Sequence, residues 1–139
     1  MQQLATSEVD SYPLLTLWLA FQRPRQHFLV RCEPGRFGGI AAQVASFATP
    51  PVRSCRLPGP LELPSDTRGT LLLHDVAALD ISDQIALYDW LGQRAPDLRV
   101  ISVTTAPLAP LVAQGAFLEG LFHRLGAVQF DLTSEECAK

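Results

Sequence analysis

Apolar residues in this chain gather in short continuous runs rather than in strict alternation. "HFLVRC" (27–32), "TLLLH" (70–74) and "RVISVTT" (99–105) are such runs, and "AVQFDL" (127–132) closes the series with a further strand. Each is short enough for a strand, and unbroken apolar character is what a sheet covered on both faces requires. "TPPVRSC" (49–55) holds one more short strand, which its prolines place at an edge. Between the runs the period lengthens. Ile40, Val44 and Phe47 share one helical face after the turn-rich loop "EPGRFGG" (33–39). Ile85, Tyr88 and Leu91 predict the inner face of a helix capped by Asp80 or Ser82. "PLAPLVAQG" and "AFLEGLFHRLG" predict two short helical pieces, and "SYPLLTLWLAF" an apolar helix with Ser11 as cap and Pro13 in its first turn.

Strands alternating with helices at this spacing predict an α/β three-layer sandwich with a mostly parallel sheet. In such folds the chemistry gathers at the carboxyl ends of the strands. Cys32, His74, Asp75, Thr104 and Thr105 fall there. The 139 residues suit one domain over 1–139. A net charge of −3 with 11 Lys+Arg argues against direct nucleic-acid binding through phosphates. No apolar run approaches the ~18 residues of a membrane span. "PLLTLWLAF" (13–21) lacks the basic flank of a signal peptide. Cys32, Cys55 and Cys137 make an odd, unpaired set, which predicts a reducing, cytoplasmic setting.

"GTLLLHDVAALDISDQIALYDWL" resembles the Walker B strand and following helix of sigma-54-dependent transcription activators, whose AAA+ domain carries GTLFLDEI…L…QxxLLRxL. "RVISVTTAPLAPLVAQGAFLEGLFHRL" resembles their sensor I strand and the G-x-F-R-x-D-L-x-x-R-L segment after it. Order and spacing hold over residues 69–125. "HFLVRCEPGRFGGIAAQVA" is more loosely similar to their Walker A strand, loop and helix. The resemblance implies a P-loop NTPase core with five strands in the order 5-1-4-3-2.

It also places each catalytic position, and most are altered. The Walker A lysine position is Gly38, followed by Gly39; the loop's first and last glycines are Cys32 and Phe37, leaving Gly35 with Arg36 beside it. A P-loop works because backbone N–H groups cradle phosphate and the lysine neutralises it. The Walker B acids become His74 and Asp75, and imidazole is a poor ligand for Mg²⁺. Sensor I becomes Thr105, and of the two arginine-finger positions one is Leu118 while Arg124 keeps the other. Loss of one finger alone costs ~10³ or more in rate. The G-A-F-T-G-A loop that contacts sigma-54 is absent from "RLPGPLELPSDTR", and no lid or helix-turn-helix follows within the 139 residues. A short protein and a fragment of a longer one would read alike.

The expectation is therefore a catalytically degenerate domain with no cofactor and no metal, regulating transcription through protein contact. Gly35, Arg36, Gly38, Gly39, His74, Asp75, Thr105 and Arg124 mark the degenerate nucleotide positions. Phe117, Leu118, Leu121 and Phe122 offer an apolar interface, to a related AAA+ regulator or to a second copy. The alternative is a nucleotide-binding or weakly hydrolysing module of a sigma-54-dependent regulator; a third, a DNA-dependent regulator, needs a DNA-binding part beyond Lys139. Each residue also has a plainer reading: His74 and Asp75 as a satisfied polar pair, Cys32 and Cys55 as small buried hydrophobes, Arg124 as a packing arginine, Trp18 and Trp90 as core or interface residues. A Ser-His-Asp site lacks the G-x-S-x-G elbow. Zinc on Cys32, Cys55 and His74 lacks the close ligand spacings.

Overall fold

The computed structural model describes residues 27–64, 68–93 and 98–133, apart from the side chain of Phe47. The predicted helix at 13–21, with Trp18, and Cys137 lie outside these residues. Five strands form one sheet among those described: β1 (Phe28–Arg31), β2 (Val52–Arg56), β3 (Gly69–His74), β4 (Leu98–Thr104) and β5 (Val128–Asp131). Their spatial order is β2-β3-β4-β1-β5, the predicted 5-1-4-3-2 counted from the other edge. Every pairing is parallel. The helices are α1 (Phe37–Phe47), α2 (Ile81–Gln93), α3 (Ala109–Ala113) and α4 (Glu119–Leu125).

The continuous apolar runs are explained by two cores, one on each face. Leu29, Leu71, Leu73 and Val100 pack with Leu87, Trp90, Leu121 and Leu125 from α2 and α4. Phe28, Val30, Leu72, Ile101 and Val103 pack with Ile40 and Val44 from α1. Alternate residues of one strand thus serve opposite layers, so both faces of the central strands are mainly apolar. The β2 end is anchored where β3 begins. Gly69 takes φ +100°, and a Cβ there would run into the Pro51 carbonyl. The next residue donates its N–H to that carbonyl at 3.0 Å and its hydroxyl to Thr49 O at 2.9 Å.

Two details depart from the sequence reading. The loop expected over 33–39 is shorter: a 3-10 turn spans Pro34–Arg36 and α1 begins at Phe37. The inner face of α2 is also phased differently. Ile85 is 48% exposed, while Gln84, Leu87 and Trp90 are buried. Asp80 does cap the helix, its Oδ1 accepting the Asp83 N–H at 2.8 Å. From that start, residues 84, 87 and 91 follow one another on one face at helical spacing. Trp90 is a core residue, its indole N–H bonded to Pro64 O at 3.0 Å.

His27 ties three strands together at their amino ends. Its Nδ1 accepts the Val100 N–H at 3.0 Å, and its carbonyl accepts the Val128 N–H at 3.2 Å. Burial, then the nearby Arg99 and Arg124 guanidinium groups, lower its pKa from 6.5 to about 4. The unfolded chain therefore takes up a proton below pH 6.5 that the folded chain refuses until about pH 4. Stability from this group is full above pH 6.5 and falls as pH drops between those values. A His27→Gln variant keeps a hydrogen-bond acceptor but no titration. Urea unfolding should show the wild-type advantage over it shrinking by up to about 3 kcal/mol from pH 7 to pH 4. A difference that stays constant with pH would show that His27 is not held neutral by the fold.

Candidate functional site at the carboxyl ends of the strands

β1 runs directly into the first part of the site. Cys32 is buried and its N–H donates to Thr104 O at 3.0 Å, prolonging the ladder by one residue. Burial raises its thiol pKa, Arg36 opposes that and Glu33 adds to it. The chain then turns at once, with the Arg36 N–H bonded to Glu33 O at 2.9 Å, and enters α1. Phe37, Gly38 and Gly39 thus occupy the first turn of a helix rather than a loop. Positions where a Cβ would be placed on Gly35, Gly38 and Gly39 have no heavy atom within 4 Å. Crowding does not require glycine at these places. No side chain caps the α1 N-terminus and its first turn has no acid.

β3 delivers the second part. His74 lies opposite Arg56 and Val103 in register and is only 9% exposed. Its ring meets Phe37 edge-on, with centroids 5.9 Å apart at 71°. Burial lowers the imidazole pKa, and the Arg56 guanidinium lowers it further. The strand ends there, because Asp75 adopts the left-handed region at φ 66°, ψ 56°. Aspartate tolerates this conformation better than most residues. Its N–H donates to Val103 O at 2.7 Å, and its carbonyl accepts the Ala78 N–H at 2.9 Å. The Asp75 side chain is half-buried.

The remaining predicted positions do not converge on His74. Thr104 closes β4 and turns its hydroxyl onto the Ala106 backbone, donating to O at 2.8 Å and accepting from N at 3.1 Å. Thr105 follows outside the strand, half-buried. Arg124 lies over the Tyr88 ring at 4.3 Å and donates to Tyr88 O at 3.3 Å, so it packs on α2 of its own chain. Cys55 is buried and clamps the following loop through Glu62, its thiol donating to O at 3.5 Å and accepting from N at 3.4 Å.

The four-residue apolar surface contracts to two. Phe117 and Leu121 are 2% and 0% exposed and belong to the core, Phe117 from the turn before α4 and Leu121 from the inward face of that helix. Leu118 and Phe122 remain half-buried at its edge. What holds this segment is a residue missed by the apolar pattern. Gln84 is 1% exposed; its Nε2 donates to Leu79 O and Ala116 O, each at 3.0 Å, and its Oε1 accepts the Leu118 N–H at 2.8 Å. One amide joins the turn after β3 to the entry of α4. The signal was the glutamine of the quoted QxxLLRxL pattern, which Gln84 matches.

Residues 56–134, from the last residue of β2 to beyond β5, match the model of the sigma-54 interaction domain. The chain belongs to this family. As a sigma-54 interaction domain it is similar in fold to NtrX from Brucella abortus in complex with ATP, with a TM-score of 0.73, 20% identity, and coverage of 90% of this chain and 37% of that one. The ADP complex of NtrX gives 0.66, 20%, 87% and 36%. A third NtrX structure gives 0.70, 17%, 94% and 40%. The domain thus spans well under half the length of these NtrX chains, and the likeness concerns the AAA+ fold. No curated protein matches the chain. No described helix is long and apolar enough to cross a membrane.

Gln84→Leu should cost about 2 to 4 kcal/mol, because it leaves a buried N–H and two carbonyls unpaired. Urea unfolding measures the loss, and hydrogen exchange at the Leu118 amide should accelerate more than exchange in β3. Uniform acceleration through both would mean that Gln84 supports the core generally rather than this segment.

Proposed function

We propose that this sigma-54 interaction domain acts in transcription regulation through contact with another protein and does not turn over ATP. The observation that carries the reading is the edge-on contact between His74 and Phe37. An imidazole kept neutral by burial stands where the resemblance puts a metal-holding carboxylate. An aromatic ring stands where it puts a loop glycine. Neutral imidazole against phenyl supplies neither the oxygen ligands that Mg²⁺ requires nor the charge that phosphate requires. Gly38 adds no cation, and Arg124 is engaged with Tyr88.

A second reading, nucleotide binding without efficient hydrolysis, is favoured by one observation. The N-terminus of α1 is uncapped and free of acids, and Arg36 stands beside it. Helix N-termini attract anions. The similar NtrX structures hold ATP in one case and ADP in another.

Under the first reading the partner is a related AAA+ regulator or a second copy of the chain. Supporting it, Leu118 and Phe122 are half-buried, while Ile81 and Ile85 are 41% and 48% exposed one turn apart on α2. Gln84, between those two isoleucines in sequence, bonds the Leu118 N–H.

Hydrolysis assays with and without magnesium should give no ATP turnover above buffer, and calorimetry an affinity weaker than ~1 mM, less than about 4 kcal/mol. Gly38→Lys, which meets open space, should not restore binding while Phe37 still faces His74. Steady turnover that vanishes in Asp75→Ala would overturn the non-catalytic reading. Micromolar ATP or ADP affinity without turnover would instead favour the second.

Leu118→Glu places a carboxylate at the surface end of the segment. Sedimentation, or capture of a related regulator from the source cell, should report lost association with an unchanged thermal unfolding midpoint, since an unpaired carboxylate is costly to desolvate in an interface. A folded mutant that associates as the wild type does would place the interface elsewhere, and an unfolded one would make Leu118 a core residue.

A further inference from the structure

A cavity of about 190 Å³ opens at the ends of β1, β4 and β5, on the face of the sheet covered by α4. Leu29, Pro107, Leu108 and Phe122 give it apolar walls, and Arg31 and Asp131 give it a charged rim. The two ions face one another in register on β1 and β5. Their contact is long, 3.4 Å between Nη1 and Oδ2, with the side chains 37% and 41% exposed. A pair so placed contributes little and separates easily. The Nε of Arg31 is buried and has no hydrogen-bond partner. Beside it, on the diagonal of the β1–β4 ladder, the buried hydroxyl of Ser102 is likewise without one. Buried polar groups are ordinarily satisfied. Among the described residues these are the two buried side-chain atoms that are not; Arg31 lines the cavity, and Ser102 stands on the adjacent strand behind its wall.

We propose that the cavity is a binding site for a small zwitterion, an α-amino acid with an apolar side chain. Its carboxylate takes the place of Asp131 on the half-exposed Arg31 guanidinium, its ammonium group donates to Asp131, and its side chain lies against Leu29, Leu108 and Phe122. The charge pattern selects this class. A simple anion at Arg31 would sit beside the Asp131 carboxylate, and a simple amine at Asp131 would sit beside the Arg31 guanidinium. A zwitterion replaces both halves of the ion pair and leaves the site neutral. Size selects it too. The cavity has the space of about six waters at roughly 30 Å³ each and falls short of the ~300 Å³ at which pockets for drug-sized ligands begin.

The test uses the whole chain, with L-leucine as probe and its two halves, isocaproate and isoamylamine, as controls. Calorimetry and amide chemical shifts should show leucine binding with Kd below ~1 mM and each half at least about tenfold weaker. Arg31→Gln and Asp131→Asn should each weaken leucine binding at least about tenfold without moving the thermal unfolding midpoint. Asp131→Asn keeps the side-chain oxygen that accepts the Thr133 N–H, so it decides the matter should Arg31→Gln fail to fold. No leucine binding, equal binding of either half, or variants that bind as the wild type does would each overturn the proposal.

Discussion

Strand β3 is buried at every position from Gly69 to His74, and the rest of the site follows from that constraint. A strand inside the sheet normally releases its last side chain toward solvent, where charge is cheap to keep. Here the dry interior extends through the final residue. A carboxylate at His74 would need a strong partner there, whereas neutral imidazole needs only shape and an aromatic edge, which Phe37 supplies. Phe37 can reach it because the turn after β1 is a single 3-10 segment and α1 begins immediately. Asp75 then takes the left-handed region and carries the chain away from the sheet. The end of β3 is thus occupied by a packed ring contact.

The same strand is linked to the opposite layer by one amide. The turn after Asp75 ends at Leu79, whose carbonyl meets Gln84, and Gln84 also grips Ala116 and Leu118. The carboxyl end of β3 and the half-buried edge of α4 are therefore parts of one hydrogen-bonded unit. Within this unit the Leu118 N–H is held by Gln84 and the Arg124 guanidinium lies on the Tyr88 ring.

The strands were legible because those buried on both faces write short continuous apolar runs, while their order came from the resemblance to the sigma-54 activators. Asp80 was legible as a cap for a similar reason, since its role is local. The phase of α2 was not, because the deepest position of its first turns is the polar Gln84, and Ile85 beside it suggested the wrong face. Burial of a glutamine depends on carbonyls 5 and 32 residues away, which periodicity cannot see. The loop at 33–39 was overextended because glycines read as turn residues, although Gly38 and Gly39 lie in the first helical turn. Phe117 and Leu121 read as surface because four apolar residues crowd one short segment; the turn before α4 buries Phe117 and the inward face of α4 buries Leu121. At the site, substitution of Gly38, His74, Thr105 and Leu118 was visible residue by residue, but the Phe37–His74 contact joins elements 37 residues apart and needed the fold.

The central claim is that the end of β3 is a packed, neutral contact rather than a metal–nucleotide site. Nuclear magnetic resonance of the His74 imidazole measures this directly, by pH titration with and without saturating magnesium ATP. The account predicts a pKa below 6.5, its direction set by burial and Arg56, and ring resonances that do not move on addition of the nucleotide. Large shifts with magnesium ATP, together with a pKa that changes on binding, would contradict it.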